Sequence, residues 1–147
     1  MKAVFIRRYG GPEVVEFAEL DTPKPGPGEV QIKVHASSVN PIDSKIRDGL
    51  LKLFVRHPFP MILGVDVAGE ISAVGEGAKK FPVGTKVFAM MPHDLGGNAE
   101  YTVVREDLVA AKPENISMEE AATVPAVALT ALQALRDLGH LHEGQEV

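Results

Sequence analysis

The sequence predicts a mainly β domain, a partly open barrel of short strands, with a helical segment at its C-terminal end. Three observations carry that expectation. Apolar and polar residues alternate with a period of two in several runs before Ser117. Eleven prolines and fourteen glycines are spread along the chain and punctuate those runs. From Ser117 onward the sequence becomes rich in alanine and leucine, and the alternation stops. Strands this short and numerous favour closure or near-closure, because closing a sheet removes its unpaired edges.

The elements follow in order. Lys2 to Arg8 is apolar and β-favouring, Gly10-Gly11-Pro12 turns the chain, and Val14 to Leu20 makes a second strand. Thr22-Pro23-Lys24-Pro25-Gly26-Pro27-Gly28 is an exposed loop, because its prolines lack the N–H that a helix or central strand would use. Val30, Ile32, Val34 and Ala36 share one face of a half-buried strand, with Gln31, Lys33 and His35 on the other. Val65, Val67, Gly69, Ile71 and Ala73 repeat that pattern, as do Thr85, Val87 and Ala89. Ala99 to Val104 and Leu108 to Ala111 supply two more short strands. Gly64, Gly69, Gly75 and Gly84 fall where a positive φ or a close backbone approach is expected, as at barrel corners.

Ser117 with Glu120 is a capping-box pattern that opens a short helix. Pro125 interrupts it, and a second helix runs from about Ala126 to Leu138 and stops at Gly139. Glu143 to Val147 reads as a turn entering a strand. The expected division is a domain over 1–116 and a helical connection over 117–147.

Composition excludes several function classes. The net charge is −5 and no Lys/Arg run is present, which argues against nucleic acid as a partner. No apolar run is long enough for a membrane span, and the one at the N-terminus is too short for a signal peptide. The absence of cysteine excludes disulfides and thiolate metal ligands. A cytoplasmic location is the expectation.

The candidate polar residues lie after the Val30 strand and within the Val65 strand. Asp66, a carboxylate inside a strand pattern, is expected to accept backbone donors or pair with a base. Asp43 is expected to cap the helix that follows it, or to orient Lys45. Thr130 sits in an Ala/Leu/Val helix, where its hydroxyl could bond back to the preceding turn or face a ligand. Tyr9 and Tyr101 are expected to pack in the barrel with a hydrogen-bonded hydroxyl. His93 and Asp94 occupy a loop that could border a cleft, and His140 and His142 read as a solvated surface pair.

Taken together, several stretches resemble one family along the whole chain. They are Tyr9-Gly10-Gly11-Pro12-Glu13-Val14, Ser38-Val39-Asn40-Pro41-Ile42-Asp43-Ser44-Lys45 with Ile46-Arg47-Asp48-Gly49, and Gly64-Val65-Asp66-Val67-Ala68-Gly69. Val74-Gly75, Phe81, Gly84, Ala99-Glu100-Tyr101 and Leu129-Thr130-Ala131-Leu132 extend the match. The chain resembles the medium-chain dehydrogenase/reductases, in their zinc-independent quinone oxidoreductase and alkenal (enone) reductase branch. The resemblance implies a GroES-like barrel followed by an interdomain helix that leads into a Rossmann cofactor domain. It implies NADPH as cofactor, with NADH not excluded, and a quinone or enone as small-molecule substrate. A homodimer is compatible with it.

Residue by residue, the resemblance implies that Lys45 is the electrophilic or proton-donating group. Many quinone oxidoreductases carry a Tyr there, whereas the alkenal/enone reductases carry a Lys in an Asn-Pro-x-Asp-x-Lys motif like Asn40 to Lys45. Asn40 and Ser44 are the neighbouring candidate donors. Asn40, with Pro41, and Thr130 would meet the nicotinamide-ribose end of the cofactor. In zinc-dependent relatives a Cys-His-type pair stands where this chain has Asn40-Pro41, and a His-Glu pair where it has Val65-Asp66, so no zinc is expected.

The phosphate-binding G-x-G-x-x-G between a strand and a helix is missing, since Gly75-Glu76-Gly77 lacks the third glycine. The resemblance therefore implies a truncated Rossmann domain and an N-terminal fragment inactive by itself. The alternative reading is a GroES-like binding or assembly module without catalysis.

Overall fold

The computed structural model describes residues 1–54, 57–91 and 95–146; His93, Asp94 and Val147 lie outside them. Among the described residues, eight strands form two antiparallel sheets. The smaller has the order β2 (Val15–Glu19), β1 (Lys2–Ile6), β4 (Met61–Ile62). The larger has the order β7 (Tyr101–Arg105), β3 (Glu29–Ser37), β5 (Asp66–Val74), β6 (Lys86–Met90), β8 (Val109–Ala111). The segment before β7 bridges them. Ala3 pairs with Ala99, Val4 N–H donates to Asn98 O at 2.8 Å, and Val34 N–H donates to Glu100 O at 2.9 Å. The two sheets thus make the expected partly open barrel.

The core is built from the predicted alternation. Val30, Ile32, Val67, Ile71, Val87 and Val104 are each at most 1% exposed and meet inside the larger sheet. Two positions depart from the pattern. Gln31 is buried, not on the outer face: its Nε2 donates to Pro23 O at 2.5 Å and its Oε1 accepts from Ser72 Oγ at 2.7 Å. The amide thereby ties the proline-rich loop to the barrel, and its polar atoms stay satisfied. In β5 the alternation fails from Val65 to Gly69, where every residue is buried. Ala121 and Ala122 pack on the Ala68 face that would otherwise meet solvent.

Helix α1 (Pro41–Arg47) follows β3. Seven residues cannot hold a helix alone in water. Ile46, 2% exposed, anchors it to Ile6, Val14, Met61 and Val65, a burial worth about 1.5–3 kcal/mol. Helix α2 (Met118–Ala122) carries the predicted capping box, with Glu120 N–H donating to Ser117 Oγ and Ser117 N–H to Glu120 Oε2. Pro125 opens helix α3 (Pro125–Leu132), where a missing N–H costs nothing. A π-helical stretch, Gln133–Leu138, extends α3 to Gly139. The turn near Gly144 is present, with Gln145 N–H on His142 O, but Gln145 and Glu146 belong to no strand.

Candidate functional site

The loop after β3 brings Ser38 and Asn40 onto Asp66 at the start of β5, and Pro41, Ser44 and Lys45 follow on α1. Two buried carboxylates hold this corner. Asp43, 4% exposed, accepts Asn40 N–H at 2.7 Å on Oδ2 and Gly64 N–H at 3.2 Å on Oδ1. It therefore caps from within α1, as the N3 member of a capping box whose N-cap is Asn40, and not ahead of a following helix as expected; no bond to Lys45 competes with that role. Asp66, 0% exposed, accepts Ser38 Oγ–H at 3.0 Å and an Asn40 Nδ2 proton at 2.9 Å on Oδ2. Its Oδ1 accepts Ala126 N–H, in the first turn of α3, at 2.9 Å. Asp66 thus takes the structural role expected for it, with donors and not a base as partners.

Burial pushes the Asp43 carboxyl above its ordinary value of 3.8; the N–H groups of Asn40 and Gly64 pull it back, and the Asp66 carboxylate adds to the rise. The sign follows from proton counting. Above pH 3.8 the unfolded chain releases the Asp43 proton before the folded one does, so this group's contribution to stability falls as pH climbs to the raised value. Asp43→Asn is expected to remove that downward slope, and to cost about 1–3 kcal/mol for the N–H it leaves unpaired. Urea melts of both proteins at steps above pH 3.8 read the slope directly.

The candidate donors are not equivalent. Both Asn40 Nδ2 protons are used, one on Asp66 and the other on Ser38 Oγ at 3.1 Å, which leaves Oδ1 as the accepting atom of that amide, set toward the Asp43 N–H in the capping box of α1. Ser44 Oγ donates back to Pro41 O at 2.9 Å. Arg47 is tied to Gly10 O and Asp48. Lys45 is exposed in the last turn of α1, and no hydrogen bond or ion pair to its ammonium occurs among the described residues. A cation without a protein partner can stabilise charge on a substrate oxygen.

Thr130 is on α3, and its hydroxyl donates to Ala126 O at 2.6 Å, the back-bonded arrangement. Its oxygen keeps acceptor capacity. Thr130 lines an open groove of about 660 Å³ between α3 and strands β6 and β8, together with Phe88, Met90, Leu108, Val124 and Leu129. A smaller cavity of about 240 Å³ lies near Met1, His57 and Tyr101. Neither is lined by Asn40 or Lys45.

Tyr9 packs edge-on against Phe59 at 5.2 Å, and neither Tyr9 nor Tyr101 has a hydroxyl partner among the described residues, contrary to the bonded hydroxyls expected. His140 and His142 are both exposed. Among the described residues no group of three or more His, Cys, Asp or Glu side chains could hold a metal ion, and no helix is long and apolar enough to cross a membrane. Sequence reasoning missed Ser38 as a partner of Asn40; its signal was a hydroxyl two residues from an amide, at a strand end.

The alcohol dehydrogenase GroES-like domain family matches residues 26–114. A quinone-oxidoreductase homolog of Spinacia oleracea, named chloroplastic, is 40% identical over 143 residues, covering 96% of this chain and 44% of that protein. An Arabidopsis thaliana protein named NADPH-dependent alkenal/one oxidoreductase, chloroplastic, is 37% identical, covering 92% of this chain and 37% of its own length. The crystal structure of Escherichia coli quinone oxidoreductase complexed with NADPH superposes with a TM-score of 0.85 at 31% identity, covering 94% of this chain and 41% of that one. The chain thus spans less than half the length of these relatives. Two are named chloroplastic, so they lend no support to the cytoplasmic location expected from sequence.

Proposed function

The chain belongs to the alcohol dehydrogenase GroES-like domain family, within the medium-chain dehydrogenase/reductases, and from that premise we propose that it is the substrate-side domain of an NADPH-dependent, zinc-free reductase of quinones or α,β-unsaturated carbonyls. Residues 1–116 form that domain and 117–147 connect it to a cofactor domain. The observation that carries this reading is the exposed Lys45 on α1, whose ammonium has no partner among the described residues, in the helix whose N-cap Asn40 has both amide protons already spent.

The residues present fit the nicotinamide-ribose end of NADPH. Asn40 Oδ1 and Thr130 Oγ1 offer acceptors to hydroxyl and amide protons, and Pro41 follows Asn40 at the start of α1. When bound, NADPH supplies the hydride. Negative charge then builds on the carbonyl oxygen of the substrate, where Lys45 donates a hydrogen bond and a proton. The zinc-free part of the reading rests on donor chemistry: Asn40-Pro41 and Val65-Asp66 offer neither thiolate nor imidazole, and the Asp66 carboxylate is occupied by three donors. Exposed Val127, Leu129, Leu132, Leu135 and Leu138 on the last helix support an interdomain role for it.

The test is NADPH oxidation by the complete protein with a quinone and an enal as separate acceptors. Acceptor-dependent oxidation is the expected result. A complete protein that binds NADPH weakly and oxidises it with neither acceptor returns the chain to the alternative of a binding or assembly module.

A further inference from the structure

Asp66 bonds one half of the cofactor contact proposed above, Asn40, and reaches the helix of the other, Thr130, through Ala126. Its bonds come from uncharged donors: Ser38 Oγ and Asn40 Nδ2 on one oxygen, Ala126 N on the other. The carbonyl of Ala126 in turn accepts the Thr130 hydroxyl. One run of hydrogen bonds, carried across the backbone of the single residue Ala126, therefore leads from the Asn40 amide through Asp66 to Thr130, joining elements 60 residues apart in sequence at the Asp66–Ala126 link.

The run also decides which way Asn40 faces. With its nitrogen on Asp66 Oδ2 and Ser38 Oγ, the amide turns Oδ1 away from both. A flipped amide would set Oδ1 against a buried carboxylate and lose both bonds, one of them to a charged acceptor. A carboxylate suits this centre because both of its oxygens only accept, and three donors converge on it.

We propose that Asp66 is a positioning residue for the cofactor: it holds the Asn40 amide with its oxygen turned away from Asp66 and clamps the start of α3, so that Asn40 and Thr130 are both preset. The proposal rests on the reading that these two residues meet NADPH. Presetting the pair lowers the ordering cost of binding.

The experiment has two parts. In amide NMR spectra of this chain, Asp66→Asn is expected to shift the Asn40 side-chain resonances and to speed hydrogen exchange at Ala126 by at least about tenfold. Ser38→Ala is expected to shift Asn40 and leave Ala126 alone. In the complete reductase, Asp66→Asn is expected to raise the NADPH dissociation constant about tenfold and Ser38→Ala about threefold. On an Asn40→Ala background, Asp66→Asn is expected to lose the part of that effect that acts through the amide and to keep the part that acts through the start of α3. A purely structural Asp66 would lower Tm and leave the NADPH constant of the folded protein unchanged; that result, or full additivity with Asn40→Ala, overturns the proposal. Should Asp66→Asn fail to fold, Ser38→Ala decides alone, and unaltered Asn40 resonances with unaltered NADPH binding overturn it. The underlying reading fails separately, if Asn40→Ala by itself binds NADPH as the wild type does.

Discussion

Lys45→Met in the complete reductase is expected to lower kcat toward an enal by about 10²–10³-fold, the loss typical of removing one donor to a developing oxyanion. The NADPH dissociation constant is expected to stay within about twofold, because the change removes an interaction made at the reacting carbonyl and not at the cofactor. Lys45 is the donor left over on α1 and its N-cap. Asn40 has committed both amide protons, Ser44 has committed its hydroxyl, and Arg47 is held by Gly10 and Asp48. Methionine keeps the stem and removes the charge, so packing is held nearly constant. Steady-state kinetics with saturating NADPH would read the effect. Unchanged turnover would make Lys45 an ordinary exposed lysine.

Gly69→Ala is expected to destabilise the domain by about 3–5 kcal/mol, enough to remove most of a small domain's stability. A Cβ built at Gly69 would lie 2.1 Å from the carbonyl oxygen of Lys33 and 2.8 Å from Ile32 Cγ2. The first obstacle is backbone of the neighbouring strand β3, which has no rotamer to escape into. The β3–β5 pair would have to open where Val34 faces Gly69, next to an irregularity in the register. Gly77→Ala is the control: its φ is +80° but nothing lies within 4 Å, so it is expected to cost only about 1–2 kcal/mol of backbone strain. Chemical denaturation of the two variants separates steric obstruction from strain, and equal losses would contradict the steric account.

The strands were legible where one face meets solvent. Val30, Ile32, Val34 and Ala36 announce β3 because Lys33 and His35 between them are exposed. The same reasoning falters in β5, because α2 covers the second face and alanine at 68 gives no polar contrast. The two-residue strand Met61–Ile62 is too short to carry any period. Gln31 looked outward by alternation and is buried, because a loop eight residues upstream supplies its acceptor.

The candidate site divided along the same line. Local chemistry was readable: Asp43 caps its own helix three residues from Asn40, and Gly64 has the positive φ, +97°, that a sharp turn before β5 requires. Asp66 was recognised as a carboxylate in need of donors, but its partner Ala126 is sixty residues away and contributes only a backbone N–H. Nothing in the identity of an alanine signals that bond. The commitment of the Asn40 protons is also a property of the folded corner, since Ser38 and Asp66 reach the amide from two different elements.

The account depends most on activation of a hydride acceptor by a side-chain ammonium. The most direct measurement is the rate of NADPH oxidation by the complete protein with an enal, before and after exhaustive treatment with a zinc chelator. The predicted result is an unchanged rate that disappears only when Lys45 is replaced. Activity that is lost on chelation and restored by added zinc would contradict it.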